Sequence, residues 1–253
     1  MRAFAQAERF VSEVAARKLR PVYVFVGDEV FFRKQCRDAV LKSLVPDDLR
    51  EFSMFEFELG ETDLAEVLDR ARTPSLMAPF QVFFVRGVKN LFGRGSNEEK
   101  LKAIENYARD PNPDAVLIFV ADHISIPADA RRIDLTDKER YERIRETMGQ
   151  YCAIVELGRV EEGEAVRWIQ EYCGVREIRI DVDAARELVD SLGGDYIVAQ
   201  VTLLQKARSG RGNLFLERGD LHGFGKYQGS CQGKVRRSRK AGFFRSRLRM
   251  LRS

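Results

Sequence analysis

Apolar and polar positions along the chain alternate between two periods. Residues 3–16 place Phe4, Ala7, Val11 and Val14 on one helical face, and Val22–Val26 follows as an apolar strand. The next helix carries the stripe Phe32, Cys36, Val40 and Leu44, and Phe52–Leu59 alternates as a second strand. Asp63 and Glu66 have capping-box spacing ahead of Leu64, Val67 and Leu68, a helix that Thr73 and Pro74 end. Gln81–Arg86 predicts a third strand, Glu98–Tyr107 a helix, and Ala115–Ala121 a fourth strand, apolar on both faces as a central parallel strand is. Strands alternating with helices predict an open parallel α/β sheet covered on both sides.

After residue 136 the pattern becomes mostly helical. A helix over Lys138–Gln150, a short strand Cys152–Val155, and a helix over Glu161–Tyr172 carrying Val166, Trp168 and Ile169 come in turn. Asp181 or Asp183 then caps a helix through Leu192, ended by Gly193-Gly194. These boundaries divide the chain into a sheet domain (1–135), a small helical domain (136–204) and a basic segment (205–253) without sustained period.

The net charge of +4 hides an asymmetry: residues 1–204 hold 29 Lys and Arg against 37 Asp and Glu, whereas residues 205–253 hold 14 against 2. Three readings of that basic segment stand open: a tail that binds nucleic acid, a disordered segment, or the product of a shifted reading frame. The four cysteines form no C-x-x-C pair, the two histidines offer little for metal or triad chemistry, and no apolar run reaches membrane-spanning length. The N-terminus lacks the apolar stretch of a signal peptide, so a cytoplasmic location is expected.

The first strand and helix are where a nucleotide-binding fold carries its phosphate loop, G-x-x-x-x-G-K-[ST]. Counting from Gly27, Phe32 stands at the second glycine, Arg33 at the lysine and Lys34 at the hydroxyl position, with Asp28 and Glu29 adding negative charge. The third strand ends in Arg86-Gly87, where an ATPase needs acids for Mg²⁺. Asp122, after the fourth strand, is either a metal ligand or an acid capping a turn. His123 reads as structural, and Gly93-Arg-Gly95-Ser96 as a surface loop. No cofactor or metal is expected. One segment stays unexplained: Thr73-Pro-Ser75-Leu76-Met77-Ala-Pro79-Phe80 sets two large apolar residues between prolines, either tucked under the sheet edge or exposed as a wedge for a partner.

Residues 21 to about 204 resemble the delta subunit of the bacterial DNA polymerase III clamp loader. The resemblance lies in Val22-Tyr-Val-Phe-Val-Gly27-Asp28-Glu29 followed by an aromatic and Arg33, Ala71-Arg72-Thr73-Pro-Ser75-Leu76, and Val82–Val85 with Arg86 and Asn90. It continues through Val116–Val120, Val166-Arg-Trp168-Ile169 and Leu188 to Asp195. It implies an AAA+-like (RecA-like) sheet domain with a degenerate nucleotide site, a helical lid, and a subunit that binds and opens the sliding clamp without hydrolysing ATP. It further implies that the helix and turn around Ser75–Met77 form the clamp-binding element, Leu76 and Met77 filling the clamp's pocket and Arg72 and Thr73 supporting the turn. The partners implied are the clamp, the other clamp-loader subunits and, indirectly, primer–template DNA; no membrane is involved. The family's helical collar is not recognisable here, since Gln200–Lys206 only faintly echoes the helix that leads into it. The chain would have no catalytic site of its own, although it would belong to a nucleotidyltransferase holoenzyme. The alternatives from other classes are a degenerate nucleotide-binding enzyme using Arg33, Lys34 and Asp122, and a DNA-binding protein acting through residues 205–253.

Overall fold

Five parallel strands form the centre of the molecule, in the order β2-β3-β4-β1-β5. The computed structural model describes residues 3–92, 97–174, 179–192 and 215–216. In chain order the main elements are α1 (Ala3–Ala15), β1 (Val22–Val26), α2 (Val30–Leu44), α3 (Arg50–Ser53), β2 (Met54–Glu58), α4 (Leu64–Arg72) and β3 (Gln81–Arg86). There follow α5 (Asn97–Arg109), β4 (Ala115–Ala121), α6 (Leu135–Thr147), β5 (Ala153–Glu156), α7 (Glu162–Gly174), β6 (Arg179–Ile180), α8 (Val182–Leu192) and β7 (Phe215–Leu216). The expected α/β class and parallel sheet are what the chain forms.

β4 sits at the centre of the sheet and every one of its seven residues is buried, as is all of β1. Both strands are continuous apolar runs, because neither has a face in water. Two apolar layers result. On one side α1 and α2 pack with Phe10, Phe32, Cys36 and Val40 against Tyr23, Phe25 and Ile118. Phe10 meets Tyr23 and Phe25 edge-on, each at 4.9 Å between ring centroids. On the other side α4, α5 and α6 cover Val24, Phe83, Leu117 and Phe119 with Leu68, Ile104, Tyr107 and Ile144.

The structure departs from the sequence-based expectations at three places. The second strand begins at Met54, not Phe52, because residues 50–53 make a helical turn that leaves Phe52 43% exposed. The strand expected within the helical domain is β5, hydrogen-bonded in parallel to β1 with Tyr23 opposite Ala153 and Val26 opposite Glu156. The boundary drawn at residue 135 therefore falls inside the sheet unit, and the helical part follows β5. The basic segment contributes one described element, β7, paired with β6. The rest of residues 205–253, with His222 and Cys231, lies outside the described residues, as do Gly93–Ser96, Gly193-Gly194 and Gln200–Lys206.

Two residues beyond α1 stands Arg17, whose φ of 52° makes it the sole described non-glycine residue in the left-handed region. Lys18 N–H donates to the Glu13 carbonyl at 2.9 Å and Arg17 N–H to that of Val14 at 3.1 Å. This is the closing turn that glycine ordinarily supplies. With an arginine there the backbone carries roughly 1–2 kcal/mol of strain.

Phe10→Ala removes a fully buried ring from the α1–sheet contact, and a loss of about 3–5 kcal/mol in urea-unfolding free energy is expected.

Candidate functional site

The two motifs singled out in the sequence lie at opposite ends of the strands. The turn after β1 is at the C-terminal edge of the sheet, at the point where β1 is flanked by β4 on one side and β5 on the other. Open α/β sheets bind their ligands at that place. Here it is filled by the chain itself. Gly27 has φ +134°, and a Cβ on it would overlap the backbone carbonyl of Leu157, which follows β5. Leu157 N–H donates to Val26 O at 2.7 Å, and its carbonyl accepts from Glu29 N–H at 3.3 Å. The Glu29 carboxylate caps α2 by accepting from Phe31 N–H at 3.1 Å. A negative side chain thus stands at the helix N-terminus, where a phosphate would otherwise be held. Asp28 Oδ2 accepts from Ser125 Oγ at 3.1 Å and pairs with Arg159 at 3.0 Å.

The remaining residues of the degenerate loop are engaged elsewhere. Phe32 is fully buried, and the adjacent Phe31 meets Trp168 of α7 edge-on at 4.9 Å, so the helical part packs onto this turn. Lys34 pairs with Asp38, one helical turn along α2, at 3.1 Å. Arg33 approaches Asp122 at 3.6 Å, and Arg86 reaches the same Asp122 oxygen at 3.2 Å. Asp122, just past the end of β4, thus stands between cations from α2 and β3. The sequence did not predict this contact, whose residues come from three distant segments. No group of three metal-ligating side chains occurs among the described residues. Next to Asp122, burial and the nearby Arg140 hold His123 below the usual imidazole range, which favours its neutral form.

At the N-terminal edge of the strands, α4 leads into the segment 73–80. Asp63 caps the start of α4 through Ala65 N–H at 3.2 Å, as its spacing predicts. At the other end the Thr73 hydroxyl donates to Asp69 O at 2.9 Å, and buried Asn112 donates to Ala71 O at 3.1 Å. Both satisfy carbonyls that the end of the helix leaves open. Ser75 Oγ then accepts from Met77 N–H at 3.2 Å and from Ala78 N–H at 3.0 Å, which folds the chain back toward β3. Ser75–Met77 lie in a bend beyond α4 and not in a helix. Leu76 is 100% exposed and Met77 59%, while Ala78 between them and the sheet is buried. Of the two readings of this segment, the tucked one fails: the apolar pair projects into water on a bend pinned by hydrogen bonds. Arg72 lies beside the base of this bend, 3.6 Å from Asp69 and with its guanidinium 5.9 Å from the centroid of the Tyr107 ring.

No described helix is long and apolar enough to cross a membrane. Gly27→Ala would force a side chain into the Leu157 backbone at a left-handed φ. A loss of about 2–4 kcal/mol in unfolding free energy is expected, measured by urea titration.

Comparison with known proteins finds a matching family model, a curated relative and solved structures of similar fold. The family model described as DNA polymerase III, delta subunit, matches residues 23–134. DNA polymerase III subunit delta of Bacillus subtilis (strain 168) is 19% identical over 180 residues, covering 70% of this chain and 48% of the relative. The chain thus spans about half the length of the curated relative that it matches. Among solved structures, the Bacillus subtilis DNA clamp loader delta protein (YqeN) superposes with a TM-score of 0.64 at 16% identity, covering 85% of this chain and 60% of that one. The Thermotoga maritima RuvB Holliday junction branch migration motor gives a TM-score of 0.42 at 12% identity, over 82% of this chain and 61% of that one. Over residues 23–134, the chain is similar to the DNA polymerase III delta-subunit family.

Proposed function

We propose that this chain binds, and helps to open, the ring-shaped sliding clamp during DNA replication, with Leu76 and Met77 as the prong that enters an apolar pocket of the ring. The observation that carries the reading is the full exposure of Leu76 on a bend whose backbone is fixed by Ser75 and Thr73. A leucine held in water at no gain to its own fold is surface available to a partner. Burying Leu76 and Met77 contributes roughly 1.5–3 kcal/mol each. That scale suits biasing a ring between closed and open forms, since a 100-fold shift takes about 2.7 kcal/mol. Arg72 and Thr73 support the bend.

The degenerate turn has a different part in this reading. With Gly27 against Leu157 and Glu29 on the α2 N-terminus, the place of a phosphate is taken by protein carboxylates and backbone. The chain then works without ATP hydrolysis of its own, as one cytoplasmic subunit among others of a clamp loader. The degenerate-enzyme alternative needs Arg33, Lys34 and Asp122 to be available, and all three are ion-paired.

Leu76→Ala with Met77→Ala should weaken clamp binding at least about tenfold, a loss of 1.4 kcal/mol or more, and leave the melting temperature nearly unchanged. Unaltered affinity in a titration against the clamp would reject the prong. Calorimetry with ATP should give no saturable heat, and saturable binding would restore the nucleotide reading.

A further inference from the structure

Two residues past Met77, the chain enters a cleft of about 640 Å³ at the same edge of the sheet. Pro79 and Phe80 form part of its lining, together with the ends of α1 and α2 and the segment that leads into β4. Its charged residues are Arg17, Arg20 and Lys42, with Asp114 as the one acid. None of the three cations makes an ion pair among the described residues, although most described arginines elsewhere in the sheet unit do. Apolar residues, Leu19 and Phe80 among them, supply the rest of the surface. Arg17 is also the strained residue that closes α1: a position suited to glycine holds a long cation at the cleft instead.

We infer that this cleft is a second docking site for the protein that takes the prong, and that it receives an extended, carboxylate-bearing segment of that partner. The inference rests on the clamp-binding reading. Continuity supports it, because a partner seated on Leu76 and Met77 lies over residues joined directly to Pro79 and Phe80. Charge supports it as well: three cations facing one acid attract a negatively charged segment, and the prolines and Phe80 offer its backbone and apolar side chains a dry surface. The basic stretch 205–253 of this chain has the wrong sign to be the occupant.

The test titrates the full chain against its cognate sliding clamp at about 50 and about 200 mM salt. The cleft variant is Arg17→Gly with Lys42→Gln. Lys89→Gln with Arg143→Gln removes equal charge at the opposite edge, and the prong variant is Leu76→Ala with Met77→Ala. The cleft variant should bind about fivefold more weakly at low salt and lose most of the salt dependence of native binding. It should melt at the same temperature or higher, because glycine relieves the turn at residue 17. The opposite-edge variant should bind as the native chain does. Native-like affinity and salt response in the cleft variant would overturn the inference, as would equal weakening at the opposite edge. A single-stranded oligonucleotide that binds the native chain and loses affinity in the cleft variant would assign the cleft to nucleic acid and overturn it too. Should the prong variant bind like the native chain, the clamp reading fails first. If the prong variant is weak and the cleft variant native, the cleft proposal alone falls.

Discussion

The carbonyl of Leu157 lies against Gly27 where only a glycine leaves room, and the same residue's N–H is bonded to Val26. This backbone contact ties the edge strand β5 to its neighbour β1. It also determines what the C-terminal edge can do. A phosphate loop needs its backbone N–H groups turned toward an open crevice. Here the N–H of Glu29 is spent on Leu157 and that of Phe31 on the Glu29 carboxylate. The Arg33–Asp122–Arg86 contact completes the change by pairing the acid at the end of β4 with cations from α2 and β3. Carboxylates, guanidinium groups and backbone together make this edge an internal seam.

The other edge carries an exposed apolar bend. α4 is held at its start by Asp63 and at its end by Thr73 and Asn112, so the bend that follows has little freedom in where it points. Ser75 contributes two hydrogen bonds to a segment of only four residues, and Ala78 anchors it in the core. Parallel strands of five to seven residues, roughly 17–23 Å long, separate this bend from the closed turn. β1 and β4, in the middle of the sheet, are buried on both faces, so the two edges lie at opposite ends of one packed sheet while making separate contacts.

Much of this was legible in the chain because burial writes itself into residue type. β1, β3 and β4 were readable as apolar runs, and the stripe of Phe32, Cys36, Val40 and Leu44 gave the buried face of α2. Their chemistry also made the missing phosphate-loop residues visible. What escaped notice depended on partners distant in sequence. Four residues, Ala153–Glu156, form a strand whose sheet is chosen by β1, some 130 positions earlier, and no local period records that choice. The Arg33–Asp122–Arg86 contact is assembled from α2, β3 and the residue just past β4 in the same way. Arg17 hid for the opposite reason: its signal is entirely local, but an arginine in the left-handed region carries none of the turn chemistry that marks a helix end.

Holding Met77 in water has a chemical consequence of its own. A thioether at 59% exposure is open to oxidants, and its sulfoxide is polar and chiral where the sulfur was soft and apolar. Met77 takes part in the hydrogen bonds that fix the bend through its backbone N–H, not its side chain. Oxidation would therefore blunt the tip without moving it, and a reductase that restores the thioether would sharpen it again.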